Sequence, residues 1–159
     1  MPGFEGVFWA PDLASFNGLY HLYYSVSTWQ SIDSAIGVAT SPSLANPTWT
    51  DRGKVIQSDA AWNTSPTTDT TAFNAIDPSI LVDDGRVWMS WGSYSSGIVV
   101  TELDPSSGKP LPGSVGTMVA NNSGTRGWGS TLEASALLRQ NDDYYLFVNA
   151  GSCCSGVDS

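Results

Sequence analysis

The feature of this 159-residue sequence that most limits its fold is a unit that recurs three times, each time built for strands. "APDLASFNGLYHLYYS", "AIDPSILVDDGRVWMSWG" and "TLEASALLRQNDDYYLFVNA" each place an acid, Asp12, Asp77 or Glu133, after a small or apolar residue. A short apolar strand follows, then a turn (Asn17-Gly18, Asp84-Gly85, Asn141-Asp142), then an aromatic strand that ends in small polar residues. The acids lie 65 residues (12 to 77) and 56 residues (77 to 133) apart. A repeat of that size built from antiparallel strands is the signature of propeller blades. In a propeller each acid would open an innermost strand, and equivalent positions would converge on the central channel. The alternative is a β-sandwich in which the acids begin edge strands. Propellers usually have about four to eight blades, so three units imply a piece of something longer.

The strand runs themselves are "LYHLYYSVS" (19–27), "AIGVAT" (35–40), "SILVDD" (79–84), "RVWMSWGSY" (86–94), "GIVVTELD" (97–104), "SALLRQ" (135–140) and "YYLFVNAG" (144–151). They are rich in β-branched and aromatic residues and are bounded by turn signals. "LEASALLRQ" has helical propensity, but the Asn-Asp-Asp turn and aromatic strand after it predict a hairpin. No helix is expected.

Composition supports the same class and narrows the partners. Hydrophobic residues make up 41% of the chain and charged residues only 13%, with 16 Gly, 9 Pro and 7 Trp. That is a folded, turn-rich all-β profile. The net charge of -9 argues against nucleic acid and anionic membrane surfaces, both of which need a Lys/Arg patch. No apolar run approaches the roughly 18 residues of a membrane span, and the opening "MPGFEGVFWAPD" is not expected to act as a signal peptide, having no basic-then-apolar pattern. Cys153 and Cys154 are adjacent, so they are either two thiols or a strained vicinal disulfide.

Four motifs in order carry a resemblance. "FWAPD" (8–12), "AIDPS" (75–79), "LEASAL" (132–137) and "CCSGVDS" (153–159) resemble glycoside hydrolase family 43, and within it the endo-acting arabinanases that cut α-1,5-linked arabinan. "ELDPSSGKPL" (102–111) fits the same pattern as a connection between blades. The resemblance implies an all-β partial five-bladed β-propeller, with about three blades in residues 1–159 as a single partial catalytic domain. It implies a neutral polysaccharide substrate, inverting chemistry, a secreted location and a monomer. By match, Glu133 of "EAS" is the general acid, and Asp77 of "DPS" tunes that acid and orients the sugar. The family's base aspartate, which belongs to the first blade, has no counterpart here, so the chain alone is expected to be inactive. The last blade is likewise expected to be missing, with a histidine that many members place near a central metal or water cluster. No cofactor and no metal site are expected within this chain, and calcium is left open for the longer parent.

Each candidate has a plainer reading beside it. Glu133 could be an exposed strand-end acid, and Asp-Pro at Asp77 is a common turn opener. A general acid must hold its proton at working pH, which burial beside Leu132 and Ala134 and a negative Asp77 would favour. Asp12 reads as a structural acid in "WAPD". Trp9 offers either an apolar wall for sugar rings or an inter-blade packing group. Ile76, Trp91 and Ser93 are expected to line the substrate channel. His21, the only histidine, is expected to face solvent or a blade face, and alone it builds no catalytic triad. Two rival functions stay open: an exo-acting α-L-arabinofuranosidase or β-xylosidase, and a non-catalytic carbohydrate-binding propeller.

Overall fold

The computed structural model describes residues 6–29, 33–58, 73–114, 116–121 and 131–151. The turns that the sequence marks do close hairpins. Asn17-Gly18 has φ of 49° and 72°, and Asp84-Gly85 has 46° and 78°, the paired positive values of a two-residue hairpin turn. Asn141 opens the third turn at φ 57°. Asn and Asp adopt this left-handed region far more readily than branched residues do.

Every regular element among the described residues is a strand. The first sheet is an antiparallel meander of β1 (Val7–Phe16), β2 (Leu19–Ser27), β3 (Ser34–Ser41) and β4 (Thr50–Gln57). The second runs β5 (Ser79–Asp83), β6 (Arg86–Trp91), β7 (Ile98–Asp104) and β8 (Lys109–Pro110), with β9 (Thr117–Ala120) also paired to β7. The third is the hairpin of β10 (Leu132–Gln140) and β11 (Asp143–Ala150). β5 packs against both β1 and β10, so the first strands of the three sheets lie together. No helix there is long and apolar enough to cross a membrane.

The central strands bury the side chains that drive folding. Tyr23, Ile36, Val38 and Ile56 of the first sheet share one core cluster with Val87, Met89, Trp91, Val99 and Leu103 of the second. Each such side chain contributes about 1.5–3 kcal/mol on burial. The sheets are also pinned by single bonds, with Tyr23 Oη donating to the Gly108 carbonyl at 2.8 Å and Lys109 Nζ to the Arg52 carbonyl at 2.8 Å. The third sheet is barer. Leu138, Tyr144, Tyr145 and Phe147 are all exposed on it.

Several expectations change. β1 begins at Val7, so Asp12 lies inside a strand rather than at its start. β4 is not among the strand runs named from the sequence, yet it forms an edge strand whose charged first half is exposed and whose Val55 and Ile56 are buried. "LEASALLRQ" is a strand, as its hairpin context predicted. Of the two places expected for His21, solvent and a blade face, burial excludes solvent. The residue is 2% exposed and stacks on Phe16, with ring centroids 3.6 Å apart and planes 8° from parallel. Cys153, Cys154, Trp62, Trp128 and Asn63 lie outside the described residues.

Candidate active site

Asp77 sits two residues before β5, at the end of a segment held by serines of the first sheet. The Ala75 amide donates to Ser34 Oγ at 3.0 Å and to Ser58 Oγ at 2.6 Å. The Ile76 carbonyl accepts the Gly92 amide at 3.0 Å. The Asp77 amide donates to Ser25 Oγ at 3.2 Å. Asp77 itself has φ 57°, although the residue before a proline prefers extended backbone.

That conformation faces the Asp77 carboxylate toward β10. Its Oδ2 accepts the Ala134 amide at 3.1 Å. Ala134 is also left-handed, at φ 49°, because β10 carries a bulge between Glu133 and Ala136. A non-glycine residue held in this region costs about 1–2 kcal/mol, and the charged hydrogen bond from Asp77 offsets part of it. The bulge separates Glu133 from the regular ladder. Bulges next to active sites commonly re-aim a side chain in this way.

Glu133 is half-buried, and its Oε2 accepts the Ser93 hydroxyl at 3.3 Å. The neighbouring Tyr94 amide donates to the Leu132 carbonyl at 2.8 Å, which fixes this segment against β10. Gly92 permits the approach. At φ 128° it leaves no room for a side chain, since a Cβ there would lie 2.3 Å from the Gly97 carbonyl oxygen.

Electrostatics single out Asp77. Burial pushes its carboxyl up to about 6, the Ala134 amide opposes that, and the negative charge of Glu133 adds to it. The influence found here is that of Glu133 on Asp77, whereas the sequence led us to expect Asp77 to act on Glu133. Asp12 is the third carboxylate of the region, and each of its oxygens accepts a backbone amide. Its Oδ1 accepts the Leu13 amide at 2.9 Å and its Oδ2 the Ile80 amide at 2.6 Å, tying β1 to β5. Ala10 to Asp12, Asp77 to Ser79 and Ala134 to Ala136 line one open cleft of about 250 Å³.

The other predicted residues divide. Ser93 reaches the site through Glu133. Trp9 is half-buried beside the cleft wall, its ring 6.0 Å from that of Trp29. Ile76 and Trp91 are corrections. Ile76 is 3% exposed, and Trp91 is 1% exposed within the core, edge-on to Phe73 at 5.8 Å. Buried to this degree, their side chains offer a sugar no surface. Sequence reading missed Ser25, whose one signal is a small polar residue inside the aromatic strand "LYHLYYSVS". Among the described residues, no group of three or more His, Cys, Asp or Glu side chains is arranged to hold a metal ion.

The chain is similar to several known proteins. The model for Glycosyl hydrolases family 43 matches residues 1–159. The chain is 44% identical to the extracellular endo-alpha-(1->5)-L-arabinanase 1 of Bacillus subtilis, over 95% of its own length and 43% of that protein. It is 38% identical to an extracellular exo-alpha-(1->5)-L-arabinofuranosidase of Cellvibrio japonicus, over 99% of its length and 46% of the relative. A Cellvibrio cellulosa alpha-L-arabinanase, solved in complex with arabinohexaose, superposes with a TM-score of 0.80 at 36% identity. That alignment covers 97% of this chain and 50% of that one. The chain thus spans less than half the length of these curated relatives.

Proposed function

The chain belongs to glycosyl hydrolases family 43, and we propose that its protein hydrolyses α-1,5-linked arabinan with inversion, Glu133 acting as general acid and Asp77 as its modulator. The observation that carries this reading is the contact of Asp77 Oδ2 with the Ala134 amide, which sets one carboxylate beside the residue that follows the other. In this reading Glu133 gives its proton to the glycosidic oxygen as the bond to the anomeric carbon breaks. A base carboxylate takes a proton from the water that attacks that carbon on the opposite face. Inverting pairs of this kind stand roughly 6.5–9.5 Å apart. Asp77 would act on Glu133 as a neighbouring carboxylate and would also hold the sugar. Trp9 would supply an apolar face to the ring.

We place the base outside the described residues, because Asp12 does not match the family's base motif and its amide bonds to Leu13 and Ile80 suit a structural role. We read residues 1–159 as part of one catalytic domain, a five-bladed propeller in which β1, β5 and β10 are innermost strands of successive blades. The packing of β5 between the other two supports that arrangement. We also propose a secreted monomer that binds neither nucleic acid nor membrane, in keeping with the net charge of -9 and with relatives named extracellular.

The exo relative favours one second reading, release of terminal arabinose. Both are tested by expressing the protein from its whole gene and incubating it with debranched arabinan. A ladder of oligosaccharides on chromatography supports endo action, and single short products support exo action. No new reducing ends from folded protein would contradict both.

A further inference from the structure

Two departures from regular backbone at the cleft meet on one hydroxyl. Ser25 lies in β2 and is fully buried, at 0% exposure. Its register partner on β1 is Trp9, whereas the next pair is Pro11 with Tyr24, so Ala10 is the bulged residue. The bulge releases the Ala10 carbonyl from the ladder, and Ser25 Oγ donates to it at 3.2 Å. The same Oγ accepts the Asp77 amide at 3.2 Å. A serine hydroxyl has one proton to give and two lone pairs to accept with. Here the proton goes to the cleft wall and a lone pair goes to the Asp77 backbone.

We propose that Ser25 is a positioning residue for the Asp77–Glu133 pair, holding the Asp77 backbone in the left-handed conformation that presents its carboxylate to the Ala134 amide. The inference rests on the reading of Asp77 and Glu133 given above. Among the described residues, the Ala134 amide reaches the Asp77 carboxylate from β10 and the Ser25 hydroxyl fixes the Asp77 amide from β2. Ser34 and Ser58 anchor the segment two residues earlier, at Ala75. They set the path of the segment but do not touch Asp77. Removing the Ser25 hydroxyl strips a partner from both the Ala10 carbonyl and the Asp77 amide, and Asp77 is then free to swing toward the extended backbone that a following proline favours.

The test uses the protein from its whole gene and the variants Ser25→Ala, Asp77→Asn and the two combined, with kcat and KM measured on linear arabinan. Ser25→Ala is expected to lower kcat about tenfold or more while KM stays within about twofold, since misplacement of a catalytic group is felt in the chemical step. In the Asp77→Asn background the same substitution should cost less than about twofold, because its effect passes through the carboxylate already removed. If Ser25→Ala does not fold, Ser25→Cys keeps a somewhat larger side chain there with a much weaker donor and should show the same pattern. An equal loss in both backgrounds would overturn the proposal and leave the assignment of the acid pair standing. An Asp77→Asn enzyme with undiminished activity would overturn the pair itself, and this inference with it.

Discussion

Asp77 Oδ2 and the Ala134 amide nitrogen are 3.1 Å apart, and both residues are left-handed, at φ 57° and 49°. Each explains the other. The turn at Asp77 aims its carboxylate across to β10, and the bulge at Ala134 exposes an amide to receive it. Strained backbone of this kind persists where the surroundings hold it, and it clusters at functional sites. Here the strain also sets Asp77 within electrostatic reach of Glu133.

Asp77→Asn should therefore change how stability depends on pH. Folding raises the Asp77 pKa from 3.8 to about 6. A raised carboxyl favours the fold in its protonated form, so its contribution is fully present below pH 3.8 and is lost as pH rises through about 6. The shift corresponds to at most about 3 kcal/mol. Urea denaturation should find Asp77→Asn more stable than the parent at pH 7.5 by up to that amount, and the two nearly equal near pH 3.5. Parallel stability profiles would mean that Asp77 ionises without cost.

Asp12 is expected to matter for stability rather than for chemistry. Asp12→Ala removes two carboxylate acceptors and leaves the Ile80 amide unpaired between β1 and β5, a loss of about 1–3 kcal/mol. Asp12→Asn keeps one acceptor oxygen and should lose less. At a temperature where both are folded, kcat on arabinan should stay within a few-fold of the parent. A loss of a hundredfold or more from a folded Asp12→Asn enzyme would make Asp12 the base.

His21 should act in the opposite pH direction from Asp77. Burial lowers its pKa below 6.5, a backbone bond to Leu19 partly opposing, and Arg52 lowers it further. The neutral ring suits the fold, so its contribution is present above pH 6.5 and is lost as pH falls through the lowered folded value. His21→Phe retains the stack on Phe16 and removes the titration. Its loss of stability between pH 7.5 and pH 5 should be smaller than that of the parent, and an identical loss would show that His21 stays uncharged on acidification.

Much of this fold was legible in the sequence because the signals are local. β2 spans the run "LYHLYYSVS" residue for residue, and Asn17-Gly18 and Asp84-Gly85 adopt the turn conformation that their residue types favour. Asp77 and Glu133 stood out because an acid beside strand-forming residues is costly unless it has a use. The missed features depend on tertiary contacts. Nothing within Thr50–Gln57 announces a strand, since β4 forms by pairing with β3. Trp91 read as a channel residue because its place at the end of a strand is visible and the core cluster closing over it is not. Ser25 acts through Ala10 and Asp77, 15 and 52 residues away, a relation that no local pattern encodes.

The most direct test of the account is the leaving-group dependence of Glu133→Gln in the protein from its whole gene, with retention of the fold checked by circular dichroism. Hydrolysis of arabinan requires a proton on the departing oxygen, so kcat/KM should fall roughly 10²–10⁴-fold. An aryl arabinofuranoside with a dinitrophenolate leaving group needs no such proton, and its hydrolysis should fall far less. Equal losses on the two substrates would contradict the assignment of Glu133 as the general acid.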